Sequence, residues 1–130
     1  MKRKPPAAAK RFAPTAGFGV TPRPPRDAIA DLFASAVAQH QNGALAAAER
    51  GYRQVLAALP DHADAHSRLG AILMRQGKSR EAVRHMERAV ALWPASFEAH
   101  GNLAQAYTWL GQRENAIEAA TRALELRETA

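Results

Sequence analysis

Apolar and polar positions along this chain recur on two scales, at helical spacing within short segments and again at an interval of 34 residues. Ala65, Leu69, Ile72 and Leu73 fall on one face of a helix, and "RQGKS" then breaks the pattern. A second stripe follows in Ala82, Val83, Met86, Ala89 and Val90. From Gly77 the chain reads "GKSREAVRHMERAVALWP" and from Gly111 "GQRENAIEAATRALELRE", with "GALAAAERGYRQVLAALP" preceding both from Gly43. The pattern predicts three hairpins of two helices each.

Residues 29–130 divide without a gap into units 29–62, 63–96 and 97–130. Four rows stand in register: Gly43, Gly77 and Gly111; Ala48, Ala82 and Ala116; Leu56, Val90 and Leu124; and the small row Ala36, Gly70 and Ala104. Small residues at fixed places let two helices of a hairpin approach closely. Because neither helix of a hairpin can bury its stripe alone, the units must stack. Gly77 is expected at the C′ position of one helix, with Ser79 capping the next and Glu81 in its first turn. Pro94 stops the second helix of its unit, and Asp27 is the expected cap of the first helix of all.

This placement of Gly, Ala and Pro in a helix–turn–helix unit resembles the tetratricopeptide repeat. The matching residues are Leu69, Gly70, Gly77, Ala82, Ala89 and Pro94 in the second unit, and Leu103, Tyr107, Gly111, Ala116, Ala123 and Leu124 in the third. The first unit departs, with Ser35 and Gln39 where Leu and an aromatic are usual. The family's first-helix Trp is replaced by Leu32, His66 and His100. The resemblance implies an all-α fold, a right-handed α-solenoid of three repeats over 27–130. It further implies a concave groove, lined by first helices, that receives an extended peptide or a partner helix. Carried over by position, that groove holds Phe33, Ala34, Val37 and Gln41, then Asp64, Ser67, Arg68, Ala71 and Arg75, then Glu98, Asn102, Gln105 and Trp109.

Two groove chemistries of the family can be compared. The carboxylate clamp of chaperone-binding members fails, since Phe33, Val37, Glu98 and Asn102 stand at its positions. Of the asparagine ladder of O-linked N-acetylglucosamine transferases only Asn102 is present, with Ala34 and Arg68 at the other places. Arg68 and Arg75 share a helix face and could bind a carboxylate, although paired arginines on a helix are more often solvated or partnered with acids. His62 and His66 stand at metal-chelating spacing, yet no third ligand accompanies them. The repetition of His66 at His100 favours a structural use, so no metal is expected. Trp109 reads as part core and part groove edge, and Trp93 as a packing residue of the second hairpin.

Composition changes the picture in one region. Residues 1–26 carry seven basic side chains (Lys2, Arg3, Lys4, Lys10, Arg11, Arg23 and Arg26), no acid, and six of the eight prolines. The segment reads as a disordered tail, a solubilising leader rather than a dedicated contact for nucleic acid or membrane. Its apolar residues are too interrupted for a signal peptide, and no stretch reaches the roughly 20 apolar residues of a membrane span. A cytoplasmic location is the resulting expectation. Cysteine is absent, which excludes thiolate chemistry. Phosphate loop, zincin and nucleophile-elbow patterns are all missing. The expected function is therefore non-catalytic, without cofactor or small-molecule substrate: an adaptor binding a protein or peptide. The alternative is the targeting part of a larger bacterial glycosyltransferase or methyltransferase. Ile117, Ala120, Leu124 and Leu126 have no following repeat to cover them, so a homodimer through this end is a further expectation.

Overall fold

The computed structural model describes residues 25–129. Residues 1–24, and with them most of the basic proline-rich segment, lie outside the described residues. Six helices follow one another: α1 (Arg26–Gln41), α2 (Leu45–Ala58), α3 (Ala63–Arg75), α4 (Ser79–Leu92), α5 (Phe97–Trp109) and α6 (Arg113–Thr129). They pair as the hairpins α1–α2, α3–α4 and α5–α6, and each hairpin stacks on the next through α2–α3 and α4–α5. No strand occurs among the described residues.

Each hairpin turns on a glycine with positive φ: Gly43 at 84°, Gly77 at 81° and Gly111 at 76°. Any other L-residue would be strained there, which explains why glycine recurs at this place. The small rows work as the spacing predicted. A methyl group on Gly70 would lie 2.7 Å from Met86 Cγ, and Ala36 lies 2.8 Å from where a Cβ on Gly51 would stand. Ala48, Ala82 and Ala116 are all buried. The core runs through the middle hairpin, where Leu69, Ile72 and Leu73 have no exposed surface.

Two expected caps are corrected. α1 begins at Arg26 with Pro25 as its N-cap, so Asp27 sits inside the first turn, where its charge still favours the helix dipole. Ser79 is the first residue of α4 and makes no capping hydrogen bond, because the chain enters that helix through Lys78. The side-chain caps lie elsewhere, at the entries of α3 and α5. His62 Nδ1 accepts from the Ala65 amide and Ser96 Oγ from the Ala99 amide, both at 3.1 Å. These two residues are 34 positions apart, so the cap itself repeats.

Candidate functional site

Of the first helices, α3 touches α5, while the second helices α4 and α6 stand apart across an open cleft. The first helices therefore line the inner face of the stack. Between α3 and α5 this face holds a hollow of about 290 Å³. Ser67, Arg68, Ala71 and Asn102 line it, together with Asp64 and Glu98. All six were among the groove positions inferred from sequence. Val37, Arg75, Gln105 and Trp109 do not line this hollow; Val37 packs partly into the core, and Trp109 remains 58% exposed.

Interlocking contacts fix the side chains at the α1–α3 side. Arg68 Nε donates to Asp64 Oδ1 at 2.9 Å and its guanidinium lies 5.9 Å from the Phe33 ring centroid. Phe33 in turn packs on His62 at 4.6 Å and on Tyr52 at 5.9 Å between centroids. Phe33 is thus a half-buried platform under Arg68 rather than an open contact surface. His40 Nδ1 and the Tyr52 hydroxyl share a hydrogen bond of 3.1 Å. Burial lowers the pKa of His40, and Arg68 and Arg75 lower it further. Burial raises that of Tyr52. On the α5 side, Asn102 Nδ2 donates to Ser67 Oγ at 3.2 Å. The amide is held across two repeats, and its carbonyl oxygen has no protein donor among the described residues.

Sequence reasoning missed His40, Trp93 and Ser96 in the hollow. His40 follows Phe33 by seven residues and Val37 by three, so its helical phase was available as a signal. Trp93 was placed in hairpin packing; instead it is 50% exposed and walls the hollow, because it stands in the turn beyond α4. No sequence signal marks how a turn residue will point.

The histidines serve structure. His66 Nε2 donates to the Pro60 carbonyl at 2.7 Å, and His100 Nε2 to the Pro94 carbonyl at 2.9 Å. Each ties a first helix to the turn before it. The other ring nitrogen of His66, Nδ1, shares a hydrogen bond of 3.1 Å with His85 Nδ1. No cluster of three or more metal-ligating side chains exists among the described residues. None of the described helices is long and apolar enough to cross a membrane.

A stack of helical hairpins with an open, polar inner face defines a helical-repeat scaffold. Residues 61–129 match the tetratricopeptide repeat family, and the chain belongs to it. The crystal structure of MamA is similar over 78% of this chain and 59% of its own, at 23% identity and a TM-score of 0.72. This chain thus spans little more than half of that protein. A mutant of the Thermobaculum terrenum O-GlcNAc transferase is similar at 34% identity and a TM-score of 0.76, covering 81% of this chain and 21% of that one. The second tetratricopeptide domain of Spaghetti (RPAP3), bound to the HSP90 peptide SRMEEVD, shares the fold at 19% identity and a TM-score of 0.72, over 75% of this chain and 91% of its own. No curated protein sequence matches the chain.

Proposed function

We propose that this protein is a non-catalytic interaction module that holds an extended peptide segment in the groove along α1, α3 and α5. The observation that carries this reading is the Ser67–Asn102 contact within the hollow. It orients an amide with a free carbonyl oxygen toward a ligand backbone, in a site whose charged neighbours, Arg68 and Asp64, already satisfy each other. The groove therefore favours backbone recognition over a strongly charged motif. An acidic peptide of the kind bound to Spaghetti would meet Glu98 where a clamp needs a cation.

The test is capture of candidate peptides by wild type, by Arg68→Glu and by the Asn102→Ala/Trp109→Ala pair. Binding should weaken about tenfold or more in either variant, the cost of one or two lost contacts, with helicity unchanged. Loss of binding from changes on the outer face alone would overturn the assignment. The similarity to the O-GlcNAc transferase supports a second reading, in which this domain guides substrates to an attached enzyme. Co-purification with a glycosyltransferase activity tests that reading; a complex without such activity removes it.

The proposed homodimer belongs to the same reading of the protein as a scaffold. Ile117 and Leu124 on α6 are each 59% exposed. Asp31 and Ser35 are exposed on α1, at positions where Ala65 and Leu69 are buried in α3, so head-to-tail stacking would bury a charge. A second copy would meet the first through α6. Sedimentation should show a dimer at micromolar concentration that Leu124→Glu dissociates; a wild-type monomer would end this proposal.

A further inference from the structure

The outer face offers a comparison internal to the chain, because the cleft between successive second helices occurs twice. Between α2 and α4 it is bridged by side chains. His85 leans onto α3 to meet His66, Arg53 reaches across to Glu81 at 3.1 Å, and Arg88 pairs with Asp61 at 2.7 Å. Thirty-four residues on, between α4 and α6, the backbone arrangement recurs but every one of these devices has changed. Ala119 stands for His85, Glu87 and Asn115 for Arg53 and Glu81, and Ala95 for Asp61, while Arg122 keeps the place of Arg88. The result is an open cleft of about 540 Å³.

The chemistry of this cleft follows from those substitutions. Its floor is apolar, formed by Val90, Leu103 and Ala119. Glu118, Arg122 and Glu125 line its rim, with the Arg122 guanidinium 3.6 Å from Glu125, which leaves the rim an excess of one negative charge. Glu87 stands in the place of the bridging Arg53 and accepts the Tyr107 hydroxyl at 2.6 Å. Burial, the bond to Glu87 and the charge of Glu118 push the Tyr107 pKa up to about 12. His100 still donates Nε2–H to Pro94, but its Nδ1 has no side-chain partner among the described residues, whereas the equivalent atom of His66 is met by His85. The site thus has an acidic rim, an apolar floor and an unfilled acceptor: it is shaped for a cationic side chain with an aliphatic stem.

We propose that this cleft docks the chain's own basic N-terminal segment, a Lys or Arg side chain taking the place that His85 fills one repeat earlier. Residues 1–24 supply six cations and no acid. Twenty-four residues extend up to about 80 Å, several times the radius of gyration of roughly 13 Å for a domain of this size. The segment can therefore reach the cleft from the start of α1. This inference is independent of the inner groove, which lies on the opposite face.

Tryptic cleavage after Lys10 and Arg11 in the intact chain provides the test, since its rate follows the fraction of time the segment is undocked. Ala119→His rebuilds the bridged arrangement of the preceding repeat, and cleavage should accelerate about fivefold, as expected for a segment docked most of the time. A Glu118→Gln/Glu125→Gln variant, which leaves the packing unaltered, should accelerate it likewise. Raising the salt should speed cleavage of wild type toward the variants' rate and leave the variants nearly unchanged, because docking is electrostatic. Equal rates in wild type and both variants, at constant helicity by circular dichroism, would overturn the proposal.

Discussion

His40 and His85 both have lowered pKa values for the same first reason, burial; the charges of Arg68 and Arg75 add to it for His40, and the adjacent His66 ring, then Arg53 and Arg84, add to it for His85 against the opposing charge of Glu81. The folded state therefore disfavours protonating them relative to the ordinary value of 6.5. As pH falls, the unfolded chain takes up those protons first, so their contribution is complete above the ordinary value and is lost below it. The melting temperature should hold above about pH 7 and decline as acid passes through about 6.5. His85→Gln should flatten part of that decline. A profile that is level to pH 5, or that rises in acid, would contradict the assignment. Single positions also set the caps: Ser96→Ala removes the only side-chain acceptor at the start of α5 and should cost about 1 kcal/mol in chemical denaturation.

Between helices, the small rows control distance. Ala82 has no exposed surface and its carbonyl lies 3.2 Å from a Cβ built on Gly70, so α3 and α4 are in contact here through backbone as much as side chain. Ala82→Leu should force this hairpin apart and cost about 1–3 kcal/mol by overpacking. Arg84→Leu, an exposed position on the same helix, should change stability by less than about 0.5 kcal/mol. Equal costs at the two positions in urea unfolding would mean that the hairpin packs on another face.

At the scale of the whole molecule, one repeat position can have opposite fates. Val83 is 8% exposed and Ile117, its equivalent 34 residues later, is 59% exposed. The difference is a successor: α5 packs against α4, and no described helix packs against α6 in the same way. Val83→Ala should therefore cost about 2 kcal/mol, from lost burial and the cavity left behind. Ile117→Ala should stay within about 0.5 kcal/mol for the monomer. Comparable losses at both positions would show that α6 is already covered in solution.

The repeat was legible in the sequence because its causes are local and periodic. A glycine is needed at each positive φ, a small residue at each close approach and an apolar stripe at helical spacing, and each requirement recurs every 34 residues. The same periodicity placed Ser67, Arg68, Ala71 and Asn102 on one face, and the fold brings them to one hollow. The cap residues were legible only in part, since His62 and Ser96 repeat at one interval but a histidine cap carries little sequence signal. What tertiary structure alone decided is pairing between segments distant in sequence. The exposure of Trp93 in its turn, the cover of Arg68 over Phe33, and the bridging of one outer cleft by His85 and Arg53 while the next stays open all depend on which side chains meet across helices. Periodicity states which way a residue faces along its own helix; it carries no information about the length and charge of what stands opposite, and that opposing surface determines whether a position becomes core, bridge or open site.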